Sequence, residues 1–335
     1  MIMIKAVRMH RNGGPEVLEW EDIELPPPTA GEAQVRHTAI ALNFSDVNVR
    51  RGGFYLAQPL RFPVIPGNEA AGIVASVGSG VTQVRPGDRV AYVGSGGAFY
   101  ENTGSYAQAR NLPAACLIKT PDAISEEQAA ALLLRGLTAS MIINRVFRPK
   151  QGDAILIHGA ASGVGLLLCQ WSKHLGATVL GTVGSREKAQ VAAAHGCDHP
   201  ILYRDVDFVD AIRQWFRDGV SAVFDGVGKD TFEKSLDCVR PFGMIVNYGN
   251  ASGHPAPLDL ILLSKKGSIS VNRPGISSYL ADHHATAAAC AELFDMAGRG
   301  ILKVVVNKTY ALRDAARAHR DLEEGKNIGS AVLLP

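Results

Sequence analysis

The chain has 335 residues, 47% of them hydrophobic and 20% charged, a composition that excludes disordered, collagenous and coiled-coil proteins. Lys plus Arg outnumber Asp plus Glu by only 34 to 32, so the basic excess of a protein that neutralises nucleic-acid phosphate is missing. The length suggests about two domains, and the 35 glycines are either loop padding or backbone that must approach something closely.

The amino terminus, Met1-Ile-Met-Ile-Lys-Ala-Val-Arg8, has no apolar core of a signal peptide and reads as a strand. Up to residue 125, short apolar runs alternate with turn signals such as Gly13-Gly14-Pro15, Pro26-Pro27-Pro28, Pro66-Gly67 and Pro86-Gly87-Asp88. That pattern predicts a β-barrel or sandwich. Ser125, with Glu near its third position, reads as the cap of an Ala/Leu-rich helix from Glu126 to Asn144. Its most apolar part, Ala129 to Ile143, is broken by Arg135 and falls short of a membrane span. A cytoplasmic protein is expected.

After Pro149, strands and helices alternate. Strands are predicted at Ala154–His158, Thr178–Thr182, Pro200–Tyr203, Ala222–Asp225 and Met244–Tyr248. Helices are predicted at Val164–Leu175, Glu187–His195, Val206–Arg217 and Thr231–Val239. This is the rhythm of βαβ units around a parallel sheet. The tail adds a strand (Ser268–Val271), one long helix (Ser278–Arg299) and short strands near Val304 and Val332.

Between the first strand and helix of that region lies His158-Gly-Ala-Ala-Ser-Gly-Val-Gly165. Ala160, Ser162 and Gly165 occupy the three glycine places of a dinucleotide turn, with Gly163 and Val164 between the last two. Small residues let the backbone approach a pyrophosphate at a helix amino terminus. The bland alternative is a glycine-rich connection without a ligand. An NAD site carries an acid at the end of the second strand, about twenty residues on. Here that end is Gly181-Thr-Val-Gly-Ser185-Arg-Glu-Lys188, with no acid ending the strand and two cations following. A 2′-phosphate, hence NADPH, is favoured. Arg186 and Lys188 could instead only solvate a helix start.

Taken together, the motifs resemble the zinc-independent quinone oxidoreductases (the zeta-crystallin-like family) of the medium-chain dehydrogenase/reductase superfamily. The resemblance rests on Ala41-Leu-Asn43-Phe-Ser-Asp46, Pro66-Gly-Asn-Glu69-Ala-Ala-Gly72, Gly87-Asp-Arg-Val90, Gly136-Leu-Thr138-Ala, the turn and strand end above, Asp225-Gly-Val-Gly228, Tyr248-Gly-Asn250-Ala-Ser252-Gly and Asn272-Arg-Pro274. It implies an α/β fold: a GroES-like β-barrel catalytic domain (1–125 and 266–335) interrupted by a doubly wound parallel-sheet Rossmann domain (126–265). It also implies a homodimer, with Ser268–Val271 as the candidate edge. Zinc relatives carry a Cys and a His at or near the places of Asn43 and Asn68, and amides are poor zinc ligands, so no metal is expected. Glu69 reads as structural, and the five scattered cysteines read as core.

The resemblance further implies catalytic roles for Asn43, beside the nicotinamide, and Tyr55, at the substrate mouth. Cofactor contacts fall to Asn43, Thr138, Ala160, Ser162, Gly163, Val164, Gly165, Ser185, Lys188, Tyr203, Tyr248, Asn250, Ser252, Arg273 and, near the C-terminus, Lys326 or Asn327. Asn48 departs from the tyrosine that the family often has there. The glycine-rich stretch Tyr92 to Tyr106 reads either as a lid over a flat substrate or as a surface loop. The function so implied is transfer of hydride, or of single electrons, from NADPH to a quinone. The alternatives are reduction of activated carbon–carbon double bonds and, from another class, a non-enzymatic NADPH-binding protein. The glycines at 159–165, 181–184, 226, 228, 249 and 253 are expected to make room for the dinucleotide.

Overall fold

The computed structural model describes residues 1–52, 59–95, 99–100 and 102–335. The first elements are β1 (Ile2–Arg8), β2 (Glu19–Leu25), β3 (Glu32–Ala41), α1 (Phe44–Arg51), β4 (Glu69–Val77), β5 (Arg89–Val93), β6 (Ala109–Pro113), β7 (Ile118–Lys119) and α2 (Glu126–Met141). Next come β8 (Ala154–His158), α3 (Gly163–His174), β9 (Thr178–Val183), α4 (Arg186–Ala194), β10 (His199–Leu202), α5 (Phe208–Trp215), β11 (Val220–Asp225), α6 (Phe232–Ser235), β12 (Val239–Asn247), α7 (Leu260–Lys265) and β13 (Ser270–Asn272). The chain ends with α8 (Ile276–Leu280), α9 (His283–Gly298), β14 (Val306–Ala311), α10 (Ala315–Glu323) and β15 (Ser330–Leu334).

These elements form two compact units. The first comprises Met1–Leu134, Asp282–Gly298 and Val304–Pro335, and the second Arg135–Ala281 with Arg299–Lys303. The second unit starts at Arg135 rather than 126, because α2 is one unbroken helix and the division falls within it. It extends to Ala281 rather than 265, because β13 pairs with β12 and so belongs to its sheet. Residues 266–281 are therefore not part of the β-rich unit.

In the first unit, seven strands follow the order β14-β15-β3-β4-β5-β7, with β6 also on β3, and β1 and β2 form a separate ribbon. All pairs are antiparallel except β14 with β15. The alternating apolar residues of β3, β4 and β5 (Val35, Val74, Val90, Tyr92) join Leu42, Leu112 and Leu333 in one core. Tyr92 and Tyr106, the ends of the stretch read as either a lid or a surface loop, are both fully buried. Their hydroxyls lie in polar networks inside the unit: Tyr92 bonds His37 and Ser105.

In the second unit, six parallel strands run β10-β9-β8-β11-β12-β13. Counted within the unit this is 3-2-1-4-5-6, the doubly wound order whose switch point lies between the first and fourth strands. Strands β8 and β11 are buried along their whole length, as continuous apolar runs between helical layers should be. Leu156, Leu180, Ile201, Ile212, Val223 and Ile245 share the core.

Local chemistry explains the remaining departures. Helix α2 opens with a closed capping box, Ser125 Oγ accepting from Gln128 N (3.2 Å) and Gln128 Oε1 from Ser125 N (3.0 Å). The reciprocal partner is thus Gln128, not a glutamate. The helical stretch Glu126–Val146 is long and apolar enough to cross a membrane by composition, yet 78% of its apolar window is buried inside the protein. The expected long tail helix is two helices: Asp282 Oδ1 accepts from the N–H groups of His284 and Ala285, both at 3.0 Å, and starts α9 afresh. The expected helix Thr231–Val239 shrinks to α6, because Val239 already pairs with Val220 in the sheet.

Two buried histidines of the first unit titrate far from their ordinary 6.5. Burial holds His37 down to about 4, and burial followed by the Arg50 charge holds His319 down to about 3. Below pH 6.5 the unfolded chain binds protons that the folded one refuses, so stability falls as pH drops toward 4. The expected slope is about 1.4 kcal/mol per pH unit for each such histidine. Urea melts between pH 7 and 4 measure it, and His37→Asn should lessen the slope by about one histidine's share. An unchanged slope in that variant contradicts the assignment.

Candidate functional site

At the carboxyl ends of β8, β9, β10, β11 and β12 the second unit gathers most of the predicted cofactor residues. The turn after β8 begins at Gly159, in the left-handed region at φ 68°. Ala160 N then donates to Thr182 O (3.1 Å), tying the turn to β9. Ser162 caps α3, its Oγ accepting from Gly165 N at 3.0 Å. The N–H groups of Gly163 and Val164 open that helix and have no carbonyl ahead of them within it. A dinucleotide pyrophosphate suits this place, on a helix end of partial positive charge.

The third glycine place is dictated by packing: a Cβ on Gly165 would lie 2.2 Å from Gly159 O. A Cβ on Gly181 would meet Ala160 Cβ at 2.4 Å and Cys197 Sγ at 2.9 Å. The expectation that such glycines clear space for a ligand is corrected at Gly165, Gly181, Gly226, Gly228 and Gly249, where protein atoms lie within 3 Å of the Cβ position. The space beside Gly181, Gly226 and Gly249 is filled by Ala160 and Cys197, by the Tyr248 ring and by Gly226 itself. These glycines let the loops pack on one another.

At the end of β9 the structure gathers Ser185, Lys188 and Tyr203, with one addition. Ser185 caps α4, accepting from Lys188 N at 3.3 Å. The Tyr203 hydroxyl, from the end of β10, stands over Gly184, close enough to lie 3.1 Å from a Cβ placed there. Arg204, which sequence reading missed, lies against the Tyr203 ring, its guanidinium carbon 5.9 Å from the centroid. Burial, and then the Arg204 charge, hold the Lys188 ammonium below its ordinary value. Two like charges brought together beside a hydroxyl favour an anion. Arg204 follows Tyr203 directly, so a search for cations at every strand end would have found it.

At the ends of β11 and β12 several predicted contacts turn out to serve the loops. Asp225 is fully buried, and its Oδ1 accepts from Val227 N (2.8 Å), Gly228 N (3.1 Å) and Thr231 Oγ1 (2.9 Å). Ser252 Oγ donates to Val227 O (2.8 Å) and accepts from Asp230 N (3.1 Å). Arg273 Nη1 binds Asn247 O, Asn247 Oδ1 (2.6 Å) and Gly249 O. Asn250 Nδ2 lies 3.2 Å from His254 Nδ1. Tyr248, whose hydroxyl burial pushes to higher pH, covers Gly226, and Thr138 is half-buried on an otherwise buried face of α2.

In the first unit, Asn43 is buried and precedes α1. Its Nδ2 donates to Glu69 Oε2 at 2.9 Å, and Glu69 Oε1 accepts from Leu134 N of α2 at 2.6 Å. An ionised carboxylate only accepts, so the amide must turn its NH2 toward Glu69. Neighbouring Asn68 is fully buried, and neither of its amide atoms has a partner among the described residues. Sequence reading used it only against zinc, yet an unmet amide beside Glu69 is open to a water or a ligand. Tyr55 lies outside the described residues. Lys326 pairs with Asp321 (3.6 Å) and Glu324. Asn327 Oδ1 accepts from Tyr310 at 3.5 Å, while its buried Nδ2 has no partner among the described residues.

Zinc does not fit this donor set. Asn43 and Asn68 offer amides, and both Glu69 oxygens are engaged. Among the described residues, the cluster with metal-ligand spacing is His10, Glu19 and Glu21, at the surface around Arg8.

Known proteins share this architecture. Residues 29–122 match the model of the alcohol dehydrogenase GroES-like domain, and residues 163–290 that of the zinc-binding dehydrogenases. The chain is 41% identical to a quinone oxidoreductase of Salmonella typhimurium, over 99% of this chain and 100% of that protein. It is 39% identical to a 2-haloacrylate reductase of Burkholderia, over 99% of each. The crystal structure of Escherichia coli quinone oxidoreductase complexed with NADPH superposes with a TM-score of 0.92 at 40% identity, covering 99% of this chain and 100% of that one.

The packing around Gly181 gives a direct test. Gly181→Ala should cost about 1–3 kcal/mol by overpacking, and Ala160→Gly in the same chain should recover part of that loss. Thermal melts of the two variants decide it; a single variant as stable as the parent contradicts the packing.

Proposed function

The chain belongs to the quinone oxidoreductase family of the medium-chain dehydrogenases and reductases, and on that premise we propose that it is an NADPH-dependent quinone oxidoreductase working without zinc. The observation that carries the cofactor choice is the acid-free, cationic end of β9. Ser185, Lys188 and Tyr203, joined by Arg204, would hold the 2′-phosphate. Ala160 to Gly165 would hold the pyrophosphate. Thr138, Tyr248 and Asn250 are proposed as further contacts, and Ser252 and Arg273 as the residues that hold the loop backbone in place. Of the C-terminal pair, Asn327 carries the unmet donor and is the stronger candidate.

When bound, NADPH supplies the reducing equivalents. The protein must orient the acceptor and keep water out. Quinones accept hydride readily, so no strong acid or base is needed. Asn43, with its orientation set by Glu69, is proposed to hydrogen-bond a carbonyl oxygen, and Tyr55 to meet the acceptor. A second reading, reduction of activated carbon–carbon double bonds, is favoured by the Burkholderia relative named a 2-haloacrylate reductase. We place the reaction in the cytoplasm.

Steady-state rates with NADPH against naphthoquinones, phenanthrenequinone, alkenals and a crotonyl thioester test the proposal. Quinones should have the highest kcat/KM; alkenals ahead of quinones would select the second reading, and no turnover with any acceptor would leave a binding protein. Lys188→Ala should weaken NADPH binding about 10–100-fold, the worth of a charge-assisted hydrogen bond, and leave NADH nearly unchanged. Equal losses for both cofactors would remove Lys188 from the 2′-phosphate.

The expected homodimer is proposed to form along the free edge of β13. Phe242, 82% exposed, lies on β12, the strand that pairs with β13, and Leu260 and Ile261, 73% and 63% exposed, lie on α7, the helix that precedes β13. An apolar surface beside an open strand edge favours pairing with a second copy. Light scattering should give a dimer for the parent and a monomer for Leu260→Asp/Ile261→Asp; a monomeric parent overturns the proposal.

A further inference from the structure

A chain of buried polar side chains crosses the first unit and ends at Asn43. The N–H of Asn43 donates to Asp46 Oδ2 at 2.9 Å. The Tyr106 hydroxyl donates to the same oxygen at 3.1 Å, and stands 3.0 Å from His319 Nε2. His319 Nδ1 is 3.2 Å from Arg50 Nη1. Arg50 forms a fork with Glu323, Nη2 to Oε1 at 2.7 Å and Nη1 to Oε2 at 3.2 Å, and Glu323 also takes Arg51. Asp46, Arg50, Tyr106 and His319 are all fully buried.

The direction of every bond in this chain is fixed by chemistry. A guanidinium only donates, so His319 Nδ1 must accept. Neutral imidazole then carries its proton on Nε2 and donates to the Tyr106 oxygen. Tyr106 is left to donate to Asp46, which as a carboxylate accepts. The depressed titration of His319 agrees with a ring held neutral between these partners. The donors therefore all point one way, from Arg50 to Asp46. A buried carboxylate left short of donors would seek others or take up a proton, and the start of α1 would shift with it.

We propose that Tyr106, His319 and Arg50 are positioning residues for Asn43: their one-way donor chain fixes the Asp46 carboxylate, and Asp46 fixes the backbone from which the Asn43 amide projects. The inference rests on the reading that Asn43 acts on the acceptor or cofactor. It adds that residues of α10, 276 positions further along the chain at His319, set the geometry of that amide. The C-terminal segment thus acts on Asn43 through its backbone, while Glu69 orients its amide.

The test is a double-mutant cycle on the full-length protein with NADPH and a naphthoquinone. Asn43→Ala checks the underlying reading: if its kcat equals that of the parent, that reading fails. Tyr106→Phe should lower kcat about 10–100-fold, the range expected of a misplaced group, with NADPH affinity unchanged. In the double variant the second substitution should add little, because both losses pass through one amide. Losses that multiply, or a Tyr106→Phe variant with parental kcat beside an impaired Asn43→Ala, overturn the inference and leave the role of Asn43 standing. Should Tyr106→Phe not fold, the His319 pair decides. His319→Gln keeps an acceptor for Arg50 and a donor for Tyr106, so it should retain most of the turnover, whereas His319→Leu should not. Equal kcat in folded forms of those two variants would also overturn it.

Discussion

The carboxylate of Glu69 is the constraint from which the rest of the first unit follows. It is fully buried, and a buried charge survives only with hydrogen bonds to replace its water. One oxygen takes a backbone N–H of α2, the other the amide of Asn43. A single side chain on β4 thereby fixes the start of α1, the orientation of an amide and a point on α2. The same two bonds use up the acid that a metal would need.

The second unit meets a different constraint. Its parallel strands all end at one edge, and at that edge many loops must share little room. Small residues resolve the crowding: Gly181 admits Ala160, Gly226 admits the Tyr248 ring, and Gly249 lies on Gly226. Asp225, Ser252 and Arg273 then consume the loops' own polar groups. The helix amino terminus after Ser162 and the cations beside Tyr203 lie at this same edge. Both favour an anion at this edge.

Much of this was legible in the chain. The alternation of apolar strands and periodic helices after residue 153 specifies a parallel sheet, and the small residues from 159 to 165 mark its first turn. The missing acid and following cations around Lys188 state a preference for 2′-phosphate. Boundaries were less legible where a polar side chain competes with the helix period. Asp282 splits the tail helix by capping its second half, although the apolar pattern runs on across it. Val239 leaves its helical pattern because it pairs in the sheet.

The sequence by itself determined the fold class, the order of its turns and the family, since those depend on periodicity and on residues a few positions apart. The tertiary structure alone decided which polar groups meet. Arg50 and His319 are 269 positions apart, and Tyr106 and His319 are 213 apart, yet each pair shares a hydrogen bond. No local pattern announces such a pair. Burial removes water from both partners at once, and each is satisfied only by what the finished fold has placed beside it.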